Sequence, residues 1–246
     1  MREFLDEAYV LPENEAQKVD ITCPDSDGFD TVLWFHGGGI QNGNRKGDET
    51  PICLVKKGIA VASAEYRMYP DAKYPEFVED AAAAVAYVLK RAKELGGNGR
   101  VFVGGSSAGA YLTMMLCLNP TFLQAVGVDR DDIAGFISDA SQMFTHFNVL
   151  KEMGLDSRIQ YIDDKAPMYY VNASLKLRPL LMIYYTRDIP CRPEENELFY
   201  VSVKKFLPDA DITKVQLEGE HCSGKDIEPD GETRTANLVE AFVKSH

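Results

Sequence analysis

The chain has 246 residues, 45% hydrophobic and 26% charged, a length at which about 70–75% of the unfolded surface is buried and one core forms without disulfides. Its 26 basic and 38 acidic side chains leave a net charge of −12, which argues against a nucleic-acid or anionic-membrane partner. Five scattered cysteines, Cys23, Cys53, Cys117, Cys191 and Cys222, lack any Cys-x-x-Cys spacing, so no metal site is expected and a reducing compartment is.

Met1–Glu7 carries charges where a secretory leader needs an apolar stretch, and no later run approaches the length of a membrane span. A cytoplasmic protein is predicted. Strands are expected around Asp6–Val10, Lys18–Cys23, Thr31–Phe35, Ile59–Glu65, Arg100–Val103, Ile133–Ser138, Arg178–Tyr184 and Lys214–Leu217. The first two are more polar and suit an antiparallel edge, whereas Thr31–Phe35 and Leu180–Tyr184 lack polar alternation, as strands covered on both faces do. Helix-period segments lie between them, so the fold class is α/β, one domain over 1–246 with a mostly parallel eight-stranded sheet and helices on both faces.

The first long helix has Pro75 at its start and Glu76 in its first turn, with Phe77, Val78, Ala82, Val85, Val88 and Leu89 on one face until Gly96-Gly97. Ala108–Leu118 is apolar nearly all round and should be a buried helix ending at Asn119-Pro120. Between about 141 and 177 the rhythm breaks, and two short helical pieces ahead of Pro167 are expected in a cap-like insertion that roofs a substrate pocket. Pro193-Glu-Glu opens another helix, and Thr233–Lys244 forms the last.

Three constellations carry chemistry. The apolar run from Val101 ends in Gly105-Ser-Ser-Ala-Gly109 and passes straight into a helix. Such a turn holds a serine in a strained backbone geometry and lifts its hydroxyl, here that of Ser107, clear of the sheet. His36-Gly-Gly-Gly39 stands at the end of Thr31–Phe35, where three successive glycines leave backbone N–H groups free, two of which, together with that of Ala108, suit a developing oxyanion. The loop lacks the spacing of a dinucleotide fingerprint or a P-loop, so no nucleotide cofactor is expected.

A serine nucleophile needs a base, and the chain has four histidines. His36 belongs to the glycine loop, His146 to the insertion and His246 to the terminus. His221 follows the final strand, at the sheet edge where open α/β active sites collect. For the acid that orients the imidazole, Asp188 follows the penultimate strand and completes the order Ser, Asp, His. Asp139, at the end of the preceding strand, is the competing choice, with turn capping as its structural role.

Taken together, the His36-Gly-Gly-Gly39 loop, Tyr66-Arg67 with Pro70 and Tyr74-Pro75, and Gly105-Ser-Ser-Ala-Gly109 resemble the α/β-hydrolases, close to hormone-sensitive-lipase-like and small carbohydrate (acetyl) esterases. The resemblance implies an α/β-hydrolase fold and a serine esterase in which Ser107 attacks, His221 moves the proton, Asp188 orients it, and Gly38, Gly39 and Ala108 hold the oxyanion. It implies no metal and no organic cofactor, a small-molecule ester as substrate, and is compatible with a homo-oligomer. The acid loop, Thr186-Arg-Asp-Ile-Pro-Cys191, departs from the family's usual glycine before the Asp, and His221-Cys-Ser-Gly replaces the common His-Gly-Phe. With only about thirty residues before the glycine loop, the pocket roof is expected from the insertion. The same chemistry would serve an amide or formamide hydrolase of arylformamidase type, and a non-catalytic hydrolase-like binding module is the reading from a different class.

Overall fold

The computed structural model describes residues 1–47 and 49–246. Strand β1 (Arg2–Ala8) pairs antiparallel with β2 (Lys18–Cys23), where Val19, Ile21 and Cys23 turn inward with the period of two that a half-covered sheet imposes. β1 begins four residues earlier than expected, because polar side chains on an edge strand carry little hydrophobic periodicity. A bulge between Phe4 and Glu7 puts Asp6 at φ 58°. The Asp6 N–H then donates to the Asp20 carboxylate at 2.8 Å.

β3 (Thr31–Phe35) is buried throughout, followed by α1 (Glu49–Lys56), where no element is predicted, and by β4 (Ala60–Ala64). Helix α2 (Glu76–Glu94) places acids in its first turn and Arg91 and Lys93 in its last, complementing the helix dipole. Arg67 pins its start, donating to Asp80 at 2.8 Å and to Glu76 at 3.0 Å. β5 (Val101–Ser106) runs into α3 (Ala108–Leu118), every residue of which is buried. A short α4 (Thr121–Ala125), also not foreseen, leads to β6 (Gly135–Asp139).

The insertion holds α5 (Phe147–Glu152) and a 3-10 turn over Pro167–Tyr170, so the second helical piece is the proline segment itself. Then come β7 (Leu180–Arg187), α6 (Arg192–Phe206), β8 (Ile212–Glu220) and α7 (Arg234–Ser245), the last capped by the Thr233 hydroxyl on the Ala236 N–H at 3.0 Å. β7 and β8 each extend past their predicted ends.

One sheet of eight strands results, in the order β1-β2-β4-β3-β5-β6-β7-β8. β2 is antiparallel to β4, and the six strands β4, β3, β5, β6, β7 and β8 run parallel to one another. Helices α2, α3 and α6 pack one core on one face, and α1 and α7 a second core on the other. No helix among the described residues is long and apolar enough to cross a membrane. The consequence for function is geometric: the carboxyl ends of β3, β5, β6, β7 and β8 come out along one edge.

Candidate active site

Ser107 occupies the junction of β5 and α3 with φ 55° and ψ −112°, a conformation that a non-glycine residue adopts only under constraint. The constraint is close packing. A Cβ on Gly109 would lie 2.0 Å from the Phe35 carbonyl oxygen, so only glycine lets α3 approach β3 this closely. The turn is fixed by the Ser107 N–H donating to the Asp139 carbonyl at 2.7 Å, and by the Tyr111 N–H donating to the Ser107 carbonyl at 3.0 Å.

His221 follows β8 directly, and its Nε2 lies 2.8 Å from Ser107 Oγ. Its Nδ1 faces Asp188 Oδ1 at 2.5 Å, and the same oxygen accepts the Ile189 N–H at 2.6 Å. Asp188 follows β7; its side chain is fully buried while that of His221 is 26% exposed. With a carboxylate accepting at Nδ1, the Nε2 lone pair points at the serine hydroxyl. The buried Arg192 guanidinium lies within electrostatic reach of Asp188; burial lowers its own pKa, and the acids around it oppose that effect.

Asp139 is elsewhere. Its carboxylate accepts the Tyr185 phenol at 2.7 Å and the Ser106 hydroxyl at 3.1 Å, behind the serine turn, while Asp188 takes the place beside His221. His146 is a buried helix cap whose Nδ1 accepts the Asn148 N–H at 3.2 Å. Burial, with the positive charges of Arg192 and Lys151, pushes its pKa well below the usual histidine value. His246 lies at the chain end beside Asp211.

The glycine loop is held from behind. The His36 ring stacks on Tyr66 at 4.5 Å between centroids, its Nε2 meets Glu65 at 2.9 Å, and the Tyr66 phenol donates to the His36 carbonyl at 2.9 Å. Burial alone would raise the Glu65 pKa, but His36 and Arg45 outweigh it and hold the carboxyl below its usual range. The Gly38 carbonyl accepts the Asn42 N–H at 2.9 Å, and the Gly39 carbonyl accepts the Asn148 amide at 2.5 Å. The N–H groups of Gly38 and Gly39 have no partner among the described residues, and Ala108 begins α3, where the first N–H groups have no intrahelical acceptor. Gly38, Gly39 and Ser107 border one cavity of about 630 Å³.

The cavity wall comes mostly from residues 36–47, with Ile189, His221, Cys222 and Lys225 on the far side. Of the insertion, Phe147 lines it; the roof expected from the whole of 141–177 is therefore built mainly by the glycine loop and its continuation. Neither Glu65 nor Asn148 was singled out from sequence. Glu65 adjoins the Tyr66-Arg67 pair and had that much signal, whereas Asn148 had none. Among the described residues, no group of three His, Cys, Asp or Glu side chains is arranged to hold a metal ion.

Sheet order, serine turn and strand-end loops define the fold as that of the α/β-hydrolases. Within it, residues 19–126 match the BD-FAE family. The esterase LipI of Mycobacterium tuberculosis is 35% identical over 98 residues, 39% of this chain; the chain spans only 31% of that relative's length. Esterase Est2 of the planctomycete Thermogutta terrifontis, solved with propionate bound, superimposes with a TM-score of 0.76 over 97% of this chain and 93% of its own, at 21% identity. Esterase B of Lactobacillus rhamnosis, solved with a tributyrin phosphonate, gives 0.79 over 99% and 85%, at 16% identity.

Proposed function

We propose that the chain is a serine esterase acting on small carboxylic esters, with Ser107 as nucleophile, His221 as general base and acid, and Asp188 as the acid that orients it. The observation that carries this reading is the unbroken contact from Asp188 Oδ1 through His221 to Ser107 Oγ, at 2.5 and 2.8 Å, opening on a glycine-walled cavity.

In the first step Ser107 Oγ attacks the ester carbonyl as His221 Nε2 takes its proton. Negative charge gathers on the carbonyl oxygen, and the N–H groups of Gly38, Gly39 and Ala108 receive it. Each preorganised donor of this kind is worth about 2.7–4 kcal/mol of barrier. His221 then hands its proton to the departing alcohol, leaving an acyl group on Ser107. Water enters, His221 removes its proton, and the second tetrahedral adduct collapses to release the acid as His221 returns that proton to Ser107 Oγ. Asp188 stabilises the imidazolium in both steps without itself being protonated.

A short acyl group suits the site. Phe147 stands against the oxyanion loop, its ring tip only 2.8 Å from where a Cβ on Gly39 would be, and closes the cavity on that side. The propionate in Est2 and the tributyrin phosphonate in esterase B support the same range. The test is an acyl-chain series of chromogenic esters, run beside acetylated sugars and N-formyl amides with Ser107→Ala as blank. Acetyl to butyryl esters should turn over fastest; hydrolysis confined to formamides would replace the esterase reading with an amidase one.

A further inference from the structure

Asp139 ends β6 with its side chain wholly buried, and a carboxylate in such a place is costly unless donors surround it. Its contacts run in two directions. Toward the serine turn, its carbonyl accepts the Ser107 N–H at 2.7 Å and its Oδ2 accepts the Ser106 hydroxyl at 3.1 Å. Toward the histidine loop, its Oδ1 accepts the Tyr185 phenol at 2.7 Å, and that phenol oxygen accepts the Gly224 N–H at 3.2 Å. Gly224 lies in the 3-10 turn Ser223–Lys225, just beyond His221. A Cβ there would stand 2.6 Å from the Tyr185 oxygen, so the approach requires glycine.

We propose that Asp139 is a positioning residue for catalysis, clamping the turn that carries Ser107 to the loop that carries His221 through the Tyr185 hydroxyl. The proposal rests on the reading of Ser107 and His221 as nucleophile and base. The two ends of the clamp belong to strained turns: Ser107 has φ 55° and Cys222, next to His221, has φ 58°. Such turns persist only where their surroundings over-determine them. The direction of the carboxylate is itself fixed, because Ala140 follows at φ 58° and its carbonyl accepts the buried Arg192 guanidinium at 2.8 Å. Burial and the Asp139 charge both push the Tyr185 pKa upward, which keeps the phenol a donor.

An asparagine is a poor substitute for this carboxylate: it keeps one acceptor oxygen for two hydroxyl donors, so one of the two hydroxyls must turn round to accept its amide. The test compares Asp139→Asn, Tyr185→Phe and the double variant with wild type. Measured are kcat and KM on a butyryl ester, the acid limb of the pH profile, fluorophosphonate labelling of Ser107, and hydrogen exchange of segment 221–225. Each single variant should lose roughly 10- to 100-fold in kcat, the cost of a displacement on the order of 1 Å. KM and the acid limb should stay put, exchange in 221–225 should quicken, and the double variant should be no worse than the worse single one.

Wild-type kcat in both folded single variants would overturn the clamp, as would additive losses. A shift of the acid limb in Asp139→Asn matching that of Asp188→Asn would make Asp139 a direct partner of His221 and overturn it too. Failure of the underlying reading looks different: wild type itself would then be neither labelled nor active, whereas failure of the clamp alone leaves wild type reactive and the variants equal to it.

Discussion

Gly38→Ala is expected to disable the proposed oxyanion loop without unfolding the protein. Gly38 has φ +113°, and an added Cβ would stand 1.9 Å from the Asn42 carbonyl oxygen, a main-chain atom that no rotamer change moves. The Gly38–Asn42 turn must open to admit it, carrying the Gly38 and Gly39 N–H groups away from the carbonyl they are proposed to bind. Loss of one such donor costs about 2.7–4 kcal/mol, so kcat should fall about 10²- to 10³-fold with KM little changed. Gly39→Ala is a different case. Its Cβ would meet Phe147 Cζ at 2.8 Å, the tip of a side chain that can swing aside, although φ +68° leaves left-handed strain. That strain is about 1–2 kcal/mol. Gly39→Ala should therefore be milder, and Phe147→Ala in the same chain should recover part of its loss. Steady-state kinetics on acetyl and butyryl nitrophenyl esters, at folded fractions matched by circular dichroism, measure both. Wild-type kcat in a natively folded Gly38→Ala protein, or a larger loss in Gly39→Ala, would refute the reasoning.

Phe147→Ala should shift preference toward longer acyl chains, by up to about fourfold in kcat/KM per newly buried methylene at about 0.8 kcal/mol each; an unchanged chain-length profile would remove Phe147 from the acyl pocket. Asp188→Asn should lower kcat about 10⁴-fold, the size known for serine proteases, because the imidazole loses its tautomer and its cation loses its counter-charge. His146 gives a stability prediction. Its folded pKa lies below the unfolded value, so the unfolded chain binds the extra proton and stability, complete above about pH 6.5, is lost as the pH falls below it. One proton of this kind approaches about 1.4 kcal/mol per pH unit. Glu195, whose pKa burial raises, works in the opposite sense, so the comparison is wild type against His146→Asn, which retains a capping acceptor. Urea melts from pH 7 to 5 should show a shallower slope for the variant; parallel curves would contradict the assignment.

What the sequence made legible was local or ordered along the chain. β3 and the serine turn announce themselves because an unbroken apolar strand and its glycines are contiguous. Asp188 and His221 were reachable because each directly follows a strand in a parallel sheet, where strand ends share one edge. Strand order favoured Asp188 over Asp139, but both end neighbouring strands, and it is the three-dimensional reach of the imidazole that separates them in space. α1 begins in a polar segment with Pro51, and α4 has five residues, too few for helical periodicity to register. The insertion was recognised as irregular, but its contribution to the cavity, one aromatic ring, depends on a fold that irregular sequence does not encode locally.

The most direct test of the account is covalent. A fluorophosphonate probe incubated at near-stoichiometric protein should add one adduct per chain, located on Ser107 by peptide mass spectrometry and absent from Ser107→Ala. No adduct on folded wild-type protein, or an adduct that survives Ser107→Ala, would contradict the assignment of Ser107 as the nucleophile.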